Sequence, residues 1–435
     1  MIYGGDGLAR LPADSSGRGK AAFVPFVLPG EKIEASITEQ KPGFARAQAA
    51  AIIEPSPHRV QPGCRYFMQC GGCQYQQAIY KHQLEIKKEI LRESLRRTAK
   101  IELPVDIQLH ASPPWNYRNR SRLQVQTTPE FAIGYFMMAS HELLAVEECP
   151  ISSPLINRAI TALWQSGHAG KVPRGVSEIE FFANAEDTQL LIEVSAVADA
   201  RRAALRSWAE DLRASFPEIA GVVVFRHLHS PPEPSQEKLL TVGADHVIYK
   251  TWRASYRVSA GSFFQTNRHL IHELVRIVTA GQSGEMALDL FAGVGLFSTA
   301  FGDIHRIVSV ESSEISSTDL SYNLPSNAEA VQATTEQFLD RIGKLGRVGK
   351  GGSPPHLHTP DLAVVDPPRS GLGERVARKL ATLGAPRVVY VACDPVTLAR
   401  DLVPLLAAGY RIDQAHLVDL FPQTYHLESV IHLAR

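Results

Sequence analysis

The chain lacks three things that would each have settled its class at once. It has only 5 cysteines in 435 residues, too few for a disulfide-stapled secreted scaffold. It has no net charge, with 45 Lys and Arg against 45 Asp and Glu, which excludes a polycation that binds any polyanion through bulk charge. It also has no long apolar run. GVVVF and LVPLLAAG are core-sized and fall well short of the roughly 18 residues a bilayer span needs, so no membrane partner is expected. The opening MIYGGDGLARLP has no basic stretch followed by an apolar one and does not read as a secretory signal. A reducing cytoplasm is the expected compartment, where cysteines serve as ligands or catalysts. What remains is ordinary for a folded soluble chain: 44% apolar and 21% charged residues. At roughly 150 residues per domain, the length suggests about three domains.

Residues 1–58 hold short alternating stretches cut by Gly and Pro, which predict a small β-barrel or sandwich. Residues 59–250 open with a cysteine cluster. A helix is then expected over 76–100, where Ile79, Leu84, Ile86, Ile90, Leu91 and Leu95 recur near the helical period. A mixed stretch follows that reads as antiparallel strands with a helix near 199–215, and HSPPEPSQEK reads as a surface loop. Residues 251–435 change to strand–helix alternation, the mark of an open, mostly parallel α/β sheet. The last two strands, QAHLVDLF and SVIHLAR, are expected to form a hairpin at one sheet edge. RIGKLGRVGKGGSPPHLHTP reads as a basic Gly/Pro-rich loop.

Cys64, Cys70 and Cys73 are spaced C-x5-C-x2-C, with Gly71 and Gly72 allowing a tight turn between two thiols. Cys149 follows far along the chain in EECPI. Four such thiols suit either zinc or an iron–sulfur cluster, and the spacing leans to the cluster because zinc sites usually pair two C-x2-C-like units.

ALDLFAGVGLFS reads as a strand, a glycine turn and a helix. Ser298 stands where a third glycine would complete a dinucleotide fingerprint. Asp289 ends that strand and Glu311 ends the next, 22 positions on, where an acid commonly holds ribose hydroxyls. A nucleoside without phosphates, such as S-adenosylmethionine, fits this better than NAD. VVDPPRSG brings Asp366 to the same end of a further strand.

RVVYVACDP delivers Cys393 to that crevice, at the start of a helix whose N-terminus is expected to favour the thiolate. FPQTYHLESV carries His426 and Glu428, a candidate base, between the last strands. A thiolate, a base and a methyl donor together suit methylation of a pyrimidine at C5. Thiolate addition at C6 makes C5 nucleophilic, and the base then removes the C5 proton. A target base in structured nucleic acid must be unstacked, and an aromatic platform helps hold it. GSFFQTN offers Phe263 and Phe264 for that platform and the amide of Gln265 beside them.

These motifs, in this order, resemble the RNA uracil-C5 methyltransferases, nearest the iron–sulfur enzymes acting on 23S ribosomal RNA. GGDGLAR and its barrel resemble the TRAM domain, an OB-like RNA-binding module. The resemblance implies a Rossmann-like class I methyltransferase domain at the C-terminus. It also implies a central α+β domain carrying a [4Fe-4S] cluster on Cys64, Cys70, Cys73 and Cys149, with the helix over 76–100 packing on the catalytic domain. It implies S-adenosylmethionine contacts by Gln265, Phe291, Glu311 and Asp366, with Cys393 as nucleophile and Glu428 as base. NYRNRSRLQV resembles a segment near the RNA target, which makes Arg118 and Arg120 candidate substrate contacts beside Phe263 of the aromatic platform. Leu296 and Thr334 depart from the family pattern, Thr334 at a position where an Asp or Asn often meets the adenine. The expected product is 5-methyluridine in 23S rRNA made by a monomeric enzyme. The alternatives are the same chemistry on tRNA, or a non-catalytic iron–sulfur protein that binds RNA. Ten basic residues against five acids between Tyr80 and Arg122 supply a local surplus for phosphates despite overall neutrality.

Overall fold

A computed structural model describes residues 1–12, 19–197, 200–228, 235–348 and 359–435. The N-terminal strands are β1 (Gly7–Arg10), β2 (Ala21–Val24), β3 (Lys32–Gln40) and β4 (Phe44–Glu54), in the order β1-β2-β4-β3. Their core is small, built on Val24, Val27 and Ala47. A Cβ at Gly7 would crowd Val27 Cγ2, so a larger residue there would force that side chain to shift.

Helix α1 runs over Tyr80–Ala99, shorter at its start than the periodicity predicts, and ends where Lys100 turns left-handed at φ 59°. The chain before it forms tight turns through the cysteines. Leu84, Leu91 and Leu95 bury against Leu402 and Leu405 of the C-terminal region, so the helix packs on that region. Strand β5 (Ile107–His110) joins the C-terminal sheet as well.

The central sheet contains β6 (Arg120–Gln126), β7 (Ala132–Phe136), β8 (Leu143–Ala145), β9 (Val176–Ala183), β10 (Leu190–Ala196), β11 (Ile219–Leu228) and β12 (Ser235–Gly243). Helices α2 (Pro154–His168) and α3 (Arg202–Ser215) bury Leu163 and Trp208 in its core. Two details differ from the sequence reading. β10 and β11 pair in parallel, because α3 returns the chain to its starting end as a crossover must. The expected loop HSPPEPSQEK becomes strand from Ser235 onward, and its first part, 229–234, lies outside the described residues.

A hairpin of β13 (His246–Lys250) and β14 (Ser255–Ser259) spans the division expected at 250/251. Both of its strands pack in one cluster with α4 (Ile271–Thr279). The C-terminal sheet then adds β15 (Ser283–Leu290), β16 (Asp303–Glu311), β17 (Ala328–Gln332), β18 (Leu362–Val365), β19 (Arg387–Ala392), β20 (Arg411–Val418) and β21 (Glu428–Ala434). Between them lie α5 (Glu314–Asn323), α6 (Thr335–Val348), α7 (Gly373–Leu383) and α8 (Pro395–Ala407). The order is β17-β16-β15-β18-β19-β21-β20-β5, parallel except for β21. The final hairpin forms, but β5 covers β20, so neither of its strands is the edge. The glycine turn after β15 leads only to a 3-10 turn at Ser298–Ala300, not an α-helix, because the chain must enter β16 three residues later. The expected basic loop is helical through Val348, and 349–358 lie outside the described residues. Among the described residues no helix is long and apolar enough to cross a membrane.

Candidate active site

The carboxyl ends of β15, β16, β18 and β19 converge with the start of β21, and this convergence places the predicted residues. Asp289, wholly buried on β15, accepts from the backbone N–H of Ser298 at 3.1 Å and from its hydroxyl at 2.5 Å, while its Oδ1 has no partner. Burial raises this carboxyl to about 6. Asp289 therefore ties the glycine turn down while offering one oxygen to the crevice. Glu311 bridges the same turn. It accepts from Gly293 N–H at 2.9 Å and from Ser313 N–H at 2.7 Å. Gly293 and Gly295 take positive φ there, as does Phe291 at 68°, a conformation costly for a residue with a side chain. Gln265 Nε2 donates to Asp366 Oδ2 at 3.3 Å, joining the 262–267 loop to the end of β18.

Cys393 lies half-buried directly after β19. Its thiol is pushed up to about 12, first by burial and then by Glu428 and Asp366, with Arg369 the opposing cation. This reverses the sequence expectation of a helix-stabilised thiolate. Asp394 caps α8 through the Val396 and Thr397 N–H groups, and its carboxylate occupies the helix end that would have served the sulfur. Glu428 is 3% exposed and its Oε1 has no partner. Burial and then Asp366 hold its carboxyl far above the usual range, and burial and Asp289 raise Asp366. His426, its ring 4.2 Å from that of Tyr425 and tilted 40° to it, is driven down to about 3 by burial and by Arg369, so it stays neutral. The site gathers carboxyls and a thiol that all titrate above their ordinary ranges, an environment that favours the arrival of positive charge.

The two candidate aromatics separate. Phe264 is 2% exposed and packs on Tyr249 at 4.6 Å, whereas Phe263 is 60% exposed. Arg120 is committed to the protein. It donates to the Ser262 carbonyl at 2.8 Å and lies 4.4 Å over Phe182, so it fixes the loop that presents Phe263. Arg118 is buried with its Nε unpartnered. Burial lowers it, and the fields of Tyr117 and Tyr135, then Cys149 and Cys73, raise it overall. The basic surplus is mostly paired within the chain. Arg92 meets Glu89, Arg96 and Arg97 meet Glu93, Arg120 and Arg122 meet Glu180, and Lys87 is buried on Asp419.

The four predicted ligands are all free, partly buried thiols. Cys64, Cys70 and Cys73 each feel the field of Cys149. Burial raises Cys64, Cys73 and Cys70, the last to about 11. Against it, Gly72 N–H donates to Cys70 Sγ at 3.4 Å and the Tyr66 and Phe67 amides favour the Cys64 thiolate. Donors aimed at sulfur, a sulfur-only set and the buried Arg118 cation fit a thiolate-bound centre. Among the described residues, no three His, Cys, Asp or Glu side chains close to metal-binding spacing.

Sequence reasoning missed Tyr3. Its hydroxyl reaches the Cys393 carbonyl at 3.4 Å, and its ring meets Tyr425 edge-on at 5.5 Å. The only sequence signal was an aromatic just before GGDG.

Residues 79–435 match the tRNA (uracil-5-)-methyltransferase family, and residues 3–50 match the TRAM domain. A protein of Aquifex aeolicus named an uncharacterized RNA methyltransferase is 31% identical, over 99% of this chain and 96% of its own. The 23S rRNA (uracil(1939)-C(5))-methyltransferase RlmD of Halomonas elongata is 31% identical over 95% of this chain and 85% of its own. Among solved structures, the tRNA (uracil-54, C5)-methyltransferase of Pyrococcus abyssi, in complex with S-adenosyl-L-homocysteine, superposes with a TM-score of 0.72. It is 23% identical and covers 99% of this chain and 100% of its own, a likeness of fold.

Proposed function

The chain belongs to the tRNA (uracil-5-)-methyltransferase family, and from that premise we propose that it makes 5-methyluridine in 23S rRNA through a covalent Cys393 adduct. The observation that carries the chemistry is the facing of Cys393 and Glu428. One thiol and one buried carboxyl with an unpartnered oxygen each feel the acid of Asp366 in a single crevice. The names of the relatives from Halomonas elongata and Vibrio parahaemolyticus favour 23S rRNA over tRNA.

S-adenosylmethionine, when bound, supplies an electrophilic methyl group. Gln265, Phe291, Glu311 and Asp366 would hold it, and the unpartnered Asp289 oxygen and carboxyls able to ionise suit a cationic ligand. Phe263 stacks on the flipped uracil. Cys393, its proton lost to solvent, adds as thiolate to C6, which places electron density on C5. C5 takes the methyl group as the sulfonium carbon–sulfur pair stays on the departing sulfur. Glu428, ionised beside the cation, then takes the C5 proton as carboxylate. The C–H pair becomes the C5–C6 double bond and the C–S pair returns to sulfur as thiolate. Cys64, Cys70, Cys73 and Cys149 would hold a [4Fe-4S] cluster, with Arg118 balancing its negative charge. Incubation with methyl-labelled S-adenosylmethionine and total RNA, followed by nucleoside analysis and site mapping, tests the reading. Label is expected in 5-methyluridine of 23S rRNA. Label confined to tRNA would move the substrate, and no 5-methyluridine would overturn the function. An anaerobic preparation should absorb broadly near roughly 400 nm and bleach in Cys70→Ala, whereas stoichiometric zinc would refute the cluster.

A further inference from the structure

The loop between β20 and β21 carries Glu428 into the crevice, yet it is held almost wholly by a distant part of the chain. Gln423 sits at its bend with φ 69°, a left-handed conformation that is strained for glutamine, and it is 3% exposed. Gln83, in the first turns of α1, clasps it from both sides. Gln83 Nε2 donates to Gln423 Oε1 at 2.9 Å, and the Gln423 N–H donates to Gln83 Oε1 at 3.0 Å. The carbonyl of Gln423 accepts from the N–H groups of Gln74 and Tyr75 at 3.0 and 2.9 Å. These two residues directly follow Cys73. The Tyr425 N–H donates to Gln74 Oε1 at 3.3 Å. Lys87, also on α1, donates to Asp419 at 2.6 Å and to the Phe421 carbonyl at 2.9 Å, and Tyr117 donates to the Pro422 carbonyl at 3.0 Å. Leu427, next to Glu428, packs among Tyr75, Ile86 and Ile90.

A strained turn persists only where its surroundings over-determine it, and here the surroundings are the cysteine-bearing segment and α1. We propose that Gln83 and Gln74, by gripping the turn at Gln423, are positioning residues for proton abstraction by Glu428. They touch no reacting atom. Their effect falls on the last step, in which Glu428 takes the C5 proton, the C5–C6 double bond forms and sulfur leaves as the Cys393 thiolate. Addition and methyl capture depend on Cys393 and the β15–β18 ends, which this clasp does not contact. The inference rests on the reading of Glu428 as the base.

The test separates the steps with ordinary RNA, methyl-labelled S-adenosylmethionine and Gln83→Ala enzyme. First-turnover methyl incorporation should stay within about threefold of wild type, while product release slows about tenfold or more. A labelled protein–RNA adduct, stable on a denaturing gel, should therefore accumulate where wild type shows little. Gln74→Ala, at the more open rim of the clasp, should give the same split at smaller size and serves if Gln83→Ala does not fold. Equal slowing of both steps, or unchanged release, would overturn the proposal. Glu428→Gln distinguishes the two levels. If it releases product at the wild-type rate, the base assignment itself fails. If it traps adduct while both glutamine variants do not, only the positioning inference fails.

Discussion

The chain keeps its thiols in two environments that share burial and differ in the groups beside the sulfur. Burial pushes Cys393 up to about 12 and Cys70 up to about 11, and it raises Cys64 and Cys73 as well. Around Cys393 the near charges are the carboxyls of Glu428 and Asp366, with Arg369 the opposing cation. Around Cys64, Cys70 and Cys73 the near groups are one another and Cys149, with backbone N–H donors from Tyr66, Phe67 and Gly72. The contrast shows how one side chain is set up in two ways. Positive charge arriving beside the acids of its crevice tips Cys393 toward thiolate. Clustered thiols oppose one another's ionisation, and a cation bound among them would reverse that.

The sharpest way to break this contrast is to remove one thiol from each side. Cys393→Ala should lower methyl transfer by at least about 10⁴-fold while leaving thermal unfolding near wild type, since the half-buried sulfur makes no structural bond. Trapping on 5-fluorouridine RNA should vanish as well. Cys70→Ala should instead lower the melting temperature and abolish the metal content that the proposed cluster would give. If Cys393→Ala melts early or Cys70→Ala melts normally, the two environments do not divide as argued.

A smaller effect separates the crevice from its scaffold. Lys87 and Asp419 are a wholly buried ion pair with 0% side-chain exposure on both partners. Lys87→Met leaves the Asp419 charge uncompensated and should cost about 3–5 kcal/mol, with Lys87→Met/Asp419→Leu recovering most of it. Urea unfolding measures both. Equal destabilisation of the single and double variants would place the cost in packing, not charge.

Lys87 also marks where the sequence stopped being legible. The periodicity of α1 placed it on a charged outer face, and helical spacing reports only which residues share a face. Its partner lies 332 positions away, as Gln423 lies 340 from Gln83. The strands from β15 to β21 and the convergence of Asp289, Glu311, Asp366, Cys393 and Glu428 were readable, because four of the motifs end parallel strands and Glu428 begins the antiparallel β21 at the same side of the sheet. The hidden features were those in which one part of the chain closes on another: β5 covering β20, the basic residues paired within the protein, Arg118 buried among Tyr117, Tyr135 and the cysteines, and the clasp on Gln423. The state of Cys393 was not readable either, because burial and then Glu428 and Asp366, residues distant in sequence, raise its thiol.

The acids of the crevice give a prediction of about tenfold. Burial, with Asp289, raises Asp366 to about 7, and burial, with Asp366, raises Glu428 well above the usual carboxylate range. A cationic ligand favours their ionised forms. S-adenosylmethionine binding should therefore release protons and tighten as pH rises through the range where these acids titrate, whereas neutral S-adenosylhomocysteine should show little of either. Asp366→Asn should weaken the cation about tenfold relative to the neutral product, the worth of one unit of pKa. Calorimetry in buffers of different ionisation enthalpy reads the proton count directly. Identical proton release with both ligands would remove the electrostatic part of the contrast between the two thiol environments.

The mildest test concerns Tyr3, the barrel residue that reaches the reaction centre. Its ring packs on Tyr425 and its hydroxyl meets the Cys393 carbonyl at a long 3.4 Å, so ring and hydroxyl can be removed separately. Tyr3→Phe keeps the edge-on contact and loses the hydroxyl's hydrogen bonds with the Cys393 carbonyl and the Asp394 carboxylate, for which about a two- to fivefold fall in kcat with KM for RNA unchanged is expected. Tyr3→Ala also frees Tyr425 and, through it, His426, and should fall further in kcat than the phenylalanine variant. A barrel that served only to grip RNA would give the opposite pattern, with KM rising and kcat intact in both. The kcat–KM split in Tyr3→Phe therefore decides whether the first residues of the chain belong to the RNA-binding module alone or also to the wall of the Cys393 crevice.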